Sequence, residues 1–99
     1  MPPDVAATAE IHYGIIKDPD VKGFMSGLPI LVRERLQDAI DTLETNPRPA
    51  GSETREIGGM STTRLVVSME QPPPYLLVYY INDQKQHVYV IAISEKRFS

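Results

Sequence analysis

The side chains able to do chemistry are few, and their placement is uneven. Arg48 and Arg55 follow a long charged and apolar stretch, Arg64 lies within "TRLVVSME", and Lys96 and Arg97 sit near the end in "SEKRFS". Fixed cations suit phosphate, because affinity for polyanions is largely accumulated positive charge. Arg48 and Arg55 are either solvated loop residues or part of a basic rim. Tyr75, Tyr79, Tyr80 and Tyr89 can stack on bases or fill a half-buried sheet face. His12 and His87 are the only histidines, and they lie too far apart to follow a metal-ligand spacing, so both read as surface or edge residues. The chain has no cysteine, which removes disulfides, thiolate metal sites and a cysteine nucleophile. "EIGGM" lacks the lysine and the following helix of a phosphate loop. No metal and no cofactor is expected.

The net charge of −3 argues against general polyanion binding. Its distribution is asymmetric: Met1 to Thr54 carries five Lys/Arg against nine Asp/Glu, and Arg55 to Ser99 carries five against four. A nucleic-acid surface would therefore lie in the second half. Ninety-nine residues suffice for one domain with a single modest core. No apolar run approaches the roughly 20 residues that span a bilayer. "MPPDVAATAE" lacks the basic start and apolar centre of a signal peptide. The expectation is a cytosolic, single-domain protein over 1–99, with a flexible terminus at 1–8.

Those residues must be positioned by a short list of elements. Ile11, Tyr13 and Ile15 alternate, predicting a strand at about 10–17. Asp18 and Pro19 read as N-cap and first turn of a short helix, with Val21, Phe24, Met25 and Leu28 on one face and Gly27 at its end. In "PILVRERLQDAIDTLETNP", Val32, Leu36, Ala39, Ile40 and Leu43 form an apolar stripe, predicting an amphipathic helix of about four turns stopped by Asn46-Pro47. "NPRPAGSETREIGG" reads as a loop. "TRLVVSME", "YLLVYYIN" and "HVYVIAIS" then read as three strands rich in β-branched and aromatic residues. The expected fold is α+β in the order β-α-α-β-β-β, with two helices on one face of a mainly antiparallel four-stranded sheet. Alternation puts Leu65, Val67 and Met69 towards the helices and Arg64 on the open face. Three consecutive prolines, Pro72 to Pro74, cannot donate to a ladder, so the sheet must stop there. They predict a stiff projection of about 9 Å.

The succession "LETNPRP", "REIGGM", "TRLVV", "YLLVYYIND" and "VYVIAISEKRF" resembles the RelE/ParE toxin superfamily over nearly the whole chain. The resemblance implies the toxin of a two-component toxin–antitoxin system, with a cognate antitoxin wrapped around it. RelE-type members cut mRNA in the ribosomal A site without metal: a ribose 2′-hydroxyl attacks the adjacent phosphate, and the protein supplies cations and proton-moving groups. ParE-type members share the fold and act on DNA gyrase, so fold does not choose between them.

Carried over by position, the resemblance implies catalytic roles for Arg64 and for Lys96 or Arg97, and RNA contacts for Arg48, Arg55 and Tyr75. It also marks departures. Val66 stands where RelE-type members commonly place a second basic residue, and Leu76 stands where an arginine follows the aromatic of the third strand. "EQPPP" replaces a short glycine-containing turn at that point. Phe98 and Ser99 offer no good proton-transfer group. The implied function is a metal-independent mRNA endonuclease with an eroded catalytic set. The alternative is a non-catalytic protein of the same fold that binds an antitoxin, gyrase or another protein.

Overall fold

In a computed structural model, which describes residues 12–96, seven elements follow one another. They are β1 (Gly14–Lys17), α1 (Pro19–Ser26), α2 (Ile30–Thr42), β2 (Glu53–Ile57), β3 (Met60–Val67), β4 (Tyr75–Asn82) and β5 (His87–Glu95). The expected flexible terminus at 1–8 and the start of the first predicted strand lie outside the described residues.

The sheet has five strands in the order β1-β5-β4-β3-β2, not four. β1 runs parallel to β5, and every other pair is antiparallel. The extra strand is β2, which falls inside the stretch read as a loop. Gly58 and Gly59 take φ values of 59° and 82°, the left-handed conformations a two-residue hairpin turn requires. They close β2 onto β3 through the Ile57↔Met60 pair. Thr54 and Thr63 hydroxyls meet across this hairpin at 3.1 Å.

Both helices lie on one face. The Asp18 carboxylate accepts from the Asp20 N–H at 2.9 Å and caps α1, and Gly27 ends it. Asp18 also donates its own N–H to the Val90 carbonyl at 3.0 Å, which ties the start of α1 to β5. In α2, Leu36 and Ile40, with Leu43 at its C-cap, have no exposed surface, while Val32 and Ala39 pack on the core edge. Their counterparts are Tyr75, Leu77 and Tyr79 of β4, Val67 of β3 and Val88 and Val90 of β5. On β5 the register skips Ile91, since Tyr79 pairs with Val90 and Val78 with Ala92. This bulge switches parity, so Val88, Val90 and Ile93 can all face inward.

The proline-rich connection spans Ser68–Pro74, between the paired Val67 and Tyr75. It does not project as a free spike. Met69 packs against the core, and Pro74, which has no N–H to give, accepts from the Lys96 N–H at 2.8 Å, extending the β4–β5 ladder by one bond.

Two polar ties fix the sheet ends. The Tyr79 hydroxyl donates to the Pro47 carbonyl at 2.7 Å and anchors the α2–β2 loop; burial pushes this phenol up to about 12. Beside it, Asp83 accepts from Arg48 at 2.9 Å and from the Tyr13 hydroxyl at 2.7 Å. The guanidinium first, and the phenol second, hold the Asp83 carboxyl below the usual carboxylate range.

Two outcomes are expected. Leu36→Ala removes a fully enclosed side chain and should cost about 2–5 kcal/mol in denaturant unfolding; a loss under about 0.5 kcal/mol would place Leu36 outside the core. Because its pKa is lowered on folding, Asp83 should stabilise the fold fully above about pH 4 and lose that contribution as pH falls through its native value. Unfolding curves of the wild type and Asp83→Asn, compared from neutral to strongly acidic pH, should therefore converge at the acid end. A gap that persists or widens there would exclude this assignment.

Candidate functional site

The strand parities that bury Tyr75, Leu77 and Tyr79 leave the opposite face of the sheet without a helix. Three rows cross it. Glu53, Arg64, Val78 and Ala92 stand side by side on β2, β3, β4 and β5. Val66, Leu76 and Ser94 form the next row towards the proline-rich loop. Towards the other end, Tyr80 and Tyr89 pair, with Ile16 of β1 next to Tyr89. At the rim, His87 lies against Gly14, where an added Cβ would approach its ring to 3.2 Å; glycine makes room for the imidazole.

Arg64 therefore sits near the centre of this face, as its alternation predicts. It is half-buried, and its Nε is enclosed and has no hydrogen-bond partner among the described residues. An unsatisfied buried donor costs about 1–3 kcal/mol, which an anionic or acceptor ligand would recover. Glu53, its neighbour on β2, pairs with Arg55 at 3.1 Å. Arg55 shares the open face, but its charge is offset by that carboxylate.

The remaining candidates do not converge on Arg64. Four residues separate Ala92 from Lys96, and two strand spacings separate β3 from β5, so the Cα atoms of Arg64 and Lys96 lie about 16 Å apart. Arg97 lies outside the described residues. Arg48 is held at the sheet end by Asp83. Tyr75 is on the helix side, 6% exposed, its ring centroid 6.3 Å from that of Phe24, so it offers no face to a base. The tyrosines on the open face are Tyr80 and Tyr89, each 36% exposed.

Val66 and Leu76 are directly paired, so the two apolar departures noted in the sequence form one patch beside Arg64 rather than two scattered changes. Together with Val78, Tyr80, Tyr89 and Ile16 they make the open face mainly apolar. Glu53 was missed because β2 was missed; "ETREI" has no apolar alternation, and the Gly-Gly turn after it was the one available signal. No group of three or more metal-ligating side chains occurs among the described residues. No helix among them is long and apolar enough to cross a membrane.

No family model and no curated protein sequence matches the chain. Solved structures do. The archaeal RelE–RelB complex from Pyrococcus horikoshii superposes with a TM-score of 0.70 at 16% identity, covering 90% of this chain and 100% of that one. The RelBE2 toxin–antitoxin complex from Mycobacterium tuberculosis gives 0.69 at 14% identity, over 87% and 93% of the two chains. A doubly substituted E. coli toxin RelE in the free state gives 0.66 at 23% identity, over 86% and 84%. With two helices packed on one face of a five-stranded mixed sheet and this coverage, the chain has the fold of the RelE toxins.

Proposed function

We propose that this chain is the toxin of a toxin–antitoxin pair, an mRNA endonuclease in type whose cleavage set is reduced to Arg64. The observation that carries the reading is the enclosed, unpartnered Arg64 Nε in the middle of an open sheet face. A phosphate placed there would satisfy it and gain a charge-assisted bond. In such a reaction the substrate's 2′-oxygen bonds to phosphorus as the bond to the 5′-oxygen breaks. Arg64 would offset charge building on the non-bridging oxygens. Of the proton-moving groups on the open face, Glu53 stands beside Arg64 and is paired with Arg55, while the tyrosines and the rim histidine lie towards the other end. The same fold occurs in RelE–RelB complexes, which supports an antitoxin partner for this chain.

A specific observation favours a second reading, in which the open face binds a protein such as gyrase. Ile16, 39% exposed, adjoins the exposed Tyr80 and Tyr89 at one end of the face, and Val66, 43% exposed, pairs with Leu76 at the other. Such an apolar area is poor for a polyanion and good for a protein surface.

Primer extension on mRNA held in translating ribosomes separates the two. Wild type should cleave weakly or not at all, Arg64→Ala should abolish what remains, and Leu76→Arg should raise cleavage. A fixed donor is worth about 10²–10³ in rate at comparable sites, which sets the scale of both changes. Vigorous A-site cleavage that survives Arg64→Ala would sink the assignment of Arg64. Gyrase-dependent growth arrest without cleavage would select the second reading.

A further inference from the structure

The strand tyrosines divide into two kinds. Tyr75 and Tyr79 alternate inward on β4 and are buried, whereas Tyr80 of β4 and Tyr89 of β5 face the open side and pair directly across the two strands. Cross-strand partners stand side by side on one face, so the two rings form a continuous aromatic surface, which Ile16 of β1 extends past Tyr89. Among the described residues the tyrosine hydroxyls that hydrogen-bond are those of Tyr13 and Tyr79. The hydroxyls of Tyr80 and Tyr89 are left to solvent or a ligand.

The border of these rings is polar. Thr62 lies two residues before Arg64 on β3 and so shares its face, while Asn82 and His87 pair in the next row beyond the tyrosines. The apolar Val66 and Leu76 lie on the far side of Arg64 from the tyrosines, which leaves the apolar end to a protein contact and the aromatic end with hydroxyl, amide and imidazole groups. Arg64 is close. Two residues along the strand and one strand spacing separate its Cα from that of Tyr80, about 8 Å, and a further strand puts Tyr89 at about 12 Å. These spans suit a nucleotide whose phosphate meets the unpartnered Arg64 Nε while its base lies on Tyr80 and the neighbouring base on Tyr89.

We infer that Tyr80 and Tyr89 are a platform on which bases of a single-stranded RNA stack, and that this stacking sets which phosphate reaches Arg64. The inference rests on the endonuclease reading above and deepens it by naming the residues that position the substrate. Charge makes such a platform necessary. The chain carries −3, and the other open-face arginine, Arg55, is offset by Glu53, so backbone attraction alone is too weak to hold a polyanion. Stacking supplies affinity without charge, because every base has a π-face, and it tolerates sequence. Any base preference then falls to the polar border, where Asn82 and His87 meet the base edges that point away from Arg64.

The test titrates the purified chain with 2′-O-methyl hexa-adenylate, which has no attacking hydroxyl, and with an abasic oligomer of the same length, following the tyrosine ring resonances by NMR. The rings of Tyr80 and Tyr89 should shift with the adenylate and not with the abasic oligomer. Tyr80→Leu and Tyr89→Leu should each weaken adenylate binding about fivefold or more, the lower end of a stacking contact, while Tyr80→Phe and Tyr89→Phe, which keep the ring, restore it to within about twofold. Affinity should fall with salt at a log–log slope near about −0.7, the release expected for one neutralised phosphate. Unchanged binding in both Leu variants, or a slope of about −3 or steeper, overturns the platform; if Arg64→Ala still weakens binding, the assignment of Arg64 stands. No adenylate binding up to about millimolar concentration also overturns the platform, and primer extension then decides the endonuclease reading separately. Leu variants that bind RNA normally but lose the co-expressed product of the adjoining gene would make a protein the occupant and overturn the inference.

Discussion

The structure depends on one constraint, the complete burial of alternate residues along β4 under α2. Tyr75, Leu77 and Tyr79 are at most 6% exposed, and Leu36, Ile40 and Leu43 have no exposed surface. Burying side chains of this size is worth about 1.5–3 kcal/mol each. A one-residue slip in β4 would turn all three outward and bring Leu76, Val78 and Tyr80 in. The parity is also fixed by a directional bond, since only an inward Tyr79 can reach the Pro47 carbonyl. Everything on the open face follows from that choice: Arg64 lies across from Val78, and Val66 lies across from Leu76, because β3 is registered against a strand that cannot slide.

Periodicity was enough to read the helices, their inward stripe and the outward position of Arg64. In α2 the same five residues named from spacing, Val32, Leu36, Ala39, Ile40 and Leu43, are those that meet the core. Asp18-Pro19 and Gly27 mark the ends of α1 because capping is a local interaction. Two features were not legible. β2 is polar at every position but one, Ile57, and carries no apolar alternation of its own; it forms because Gly58-Gly59 folds it onto β3. The bulge at Ile91 changes which residues of β5 face inward, and no residue type announces it. In the site, the resemblance implied an RNA contact for Tyr75, yet its parity with Leu77 and Tyr79 ties it to the core.

The cations illustrate why charge counts along a sequence are poor guides to a surface. Five Lys/Arg against four acids after Thr54 suggested a mildly basic half. Folding redistributes that surplus. Arg55 meets Glu53 from the acidic half across one residue of the same strand face, and Arg48 of the acidic half crosses over to Asp83. Both pairs are exposed and contribute little to stability, but each lowers the local field a phosphate would feel. Among the described residues Arg64 is left as the open-face cation whose Nε nothing satisfies, with Glu53 on one side and the apolar Val66, Leu76 and Val78 on the other.

That surrounding cuts both ways for chemistry. A lone guanidinium among Val66, Leu76 and Val78 gains strength from the low local dielectric, so each contact it makes is worth more than on a wet surface. It also lacks neighbours to share the charge that builds on a phosphorane, and one donor cannot follow two or three oxygens at once. Specific recognition of a single carboxylate or phosphate is what such a site does well; rapid cleavage of a polyanion is what it does poorly.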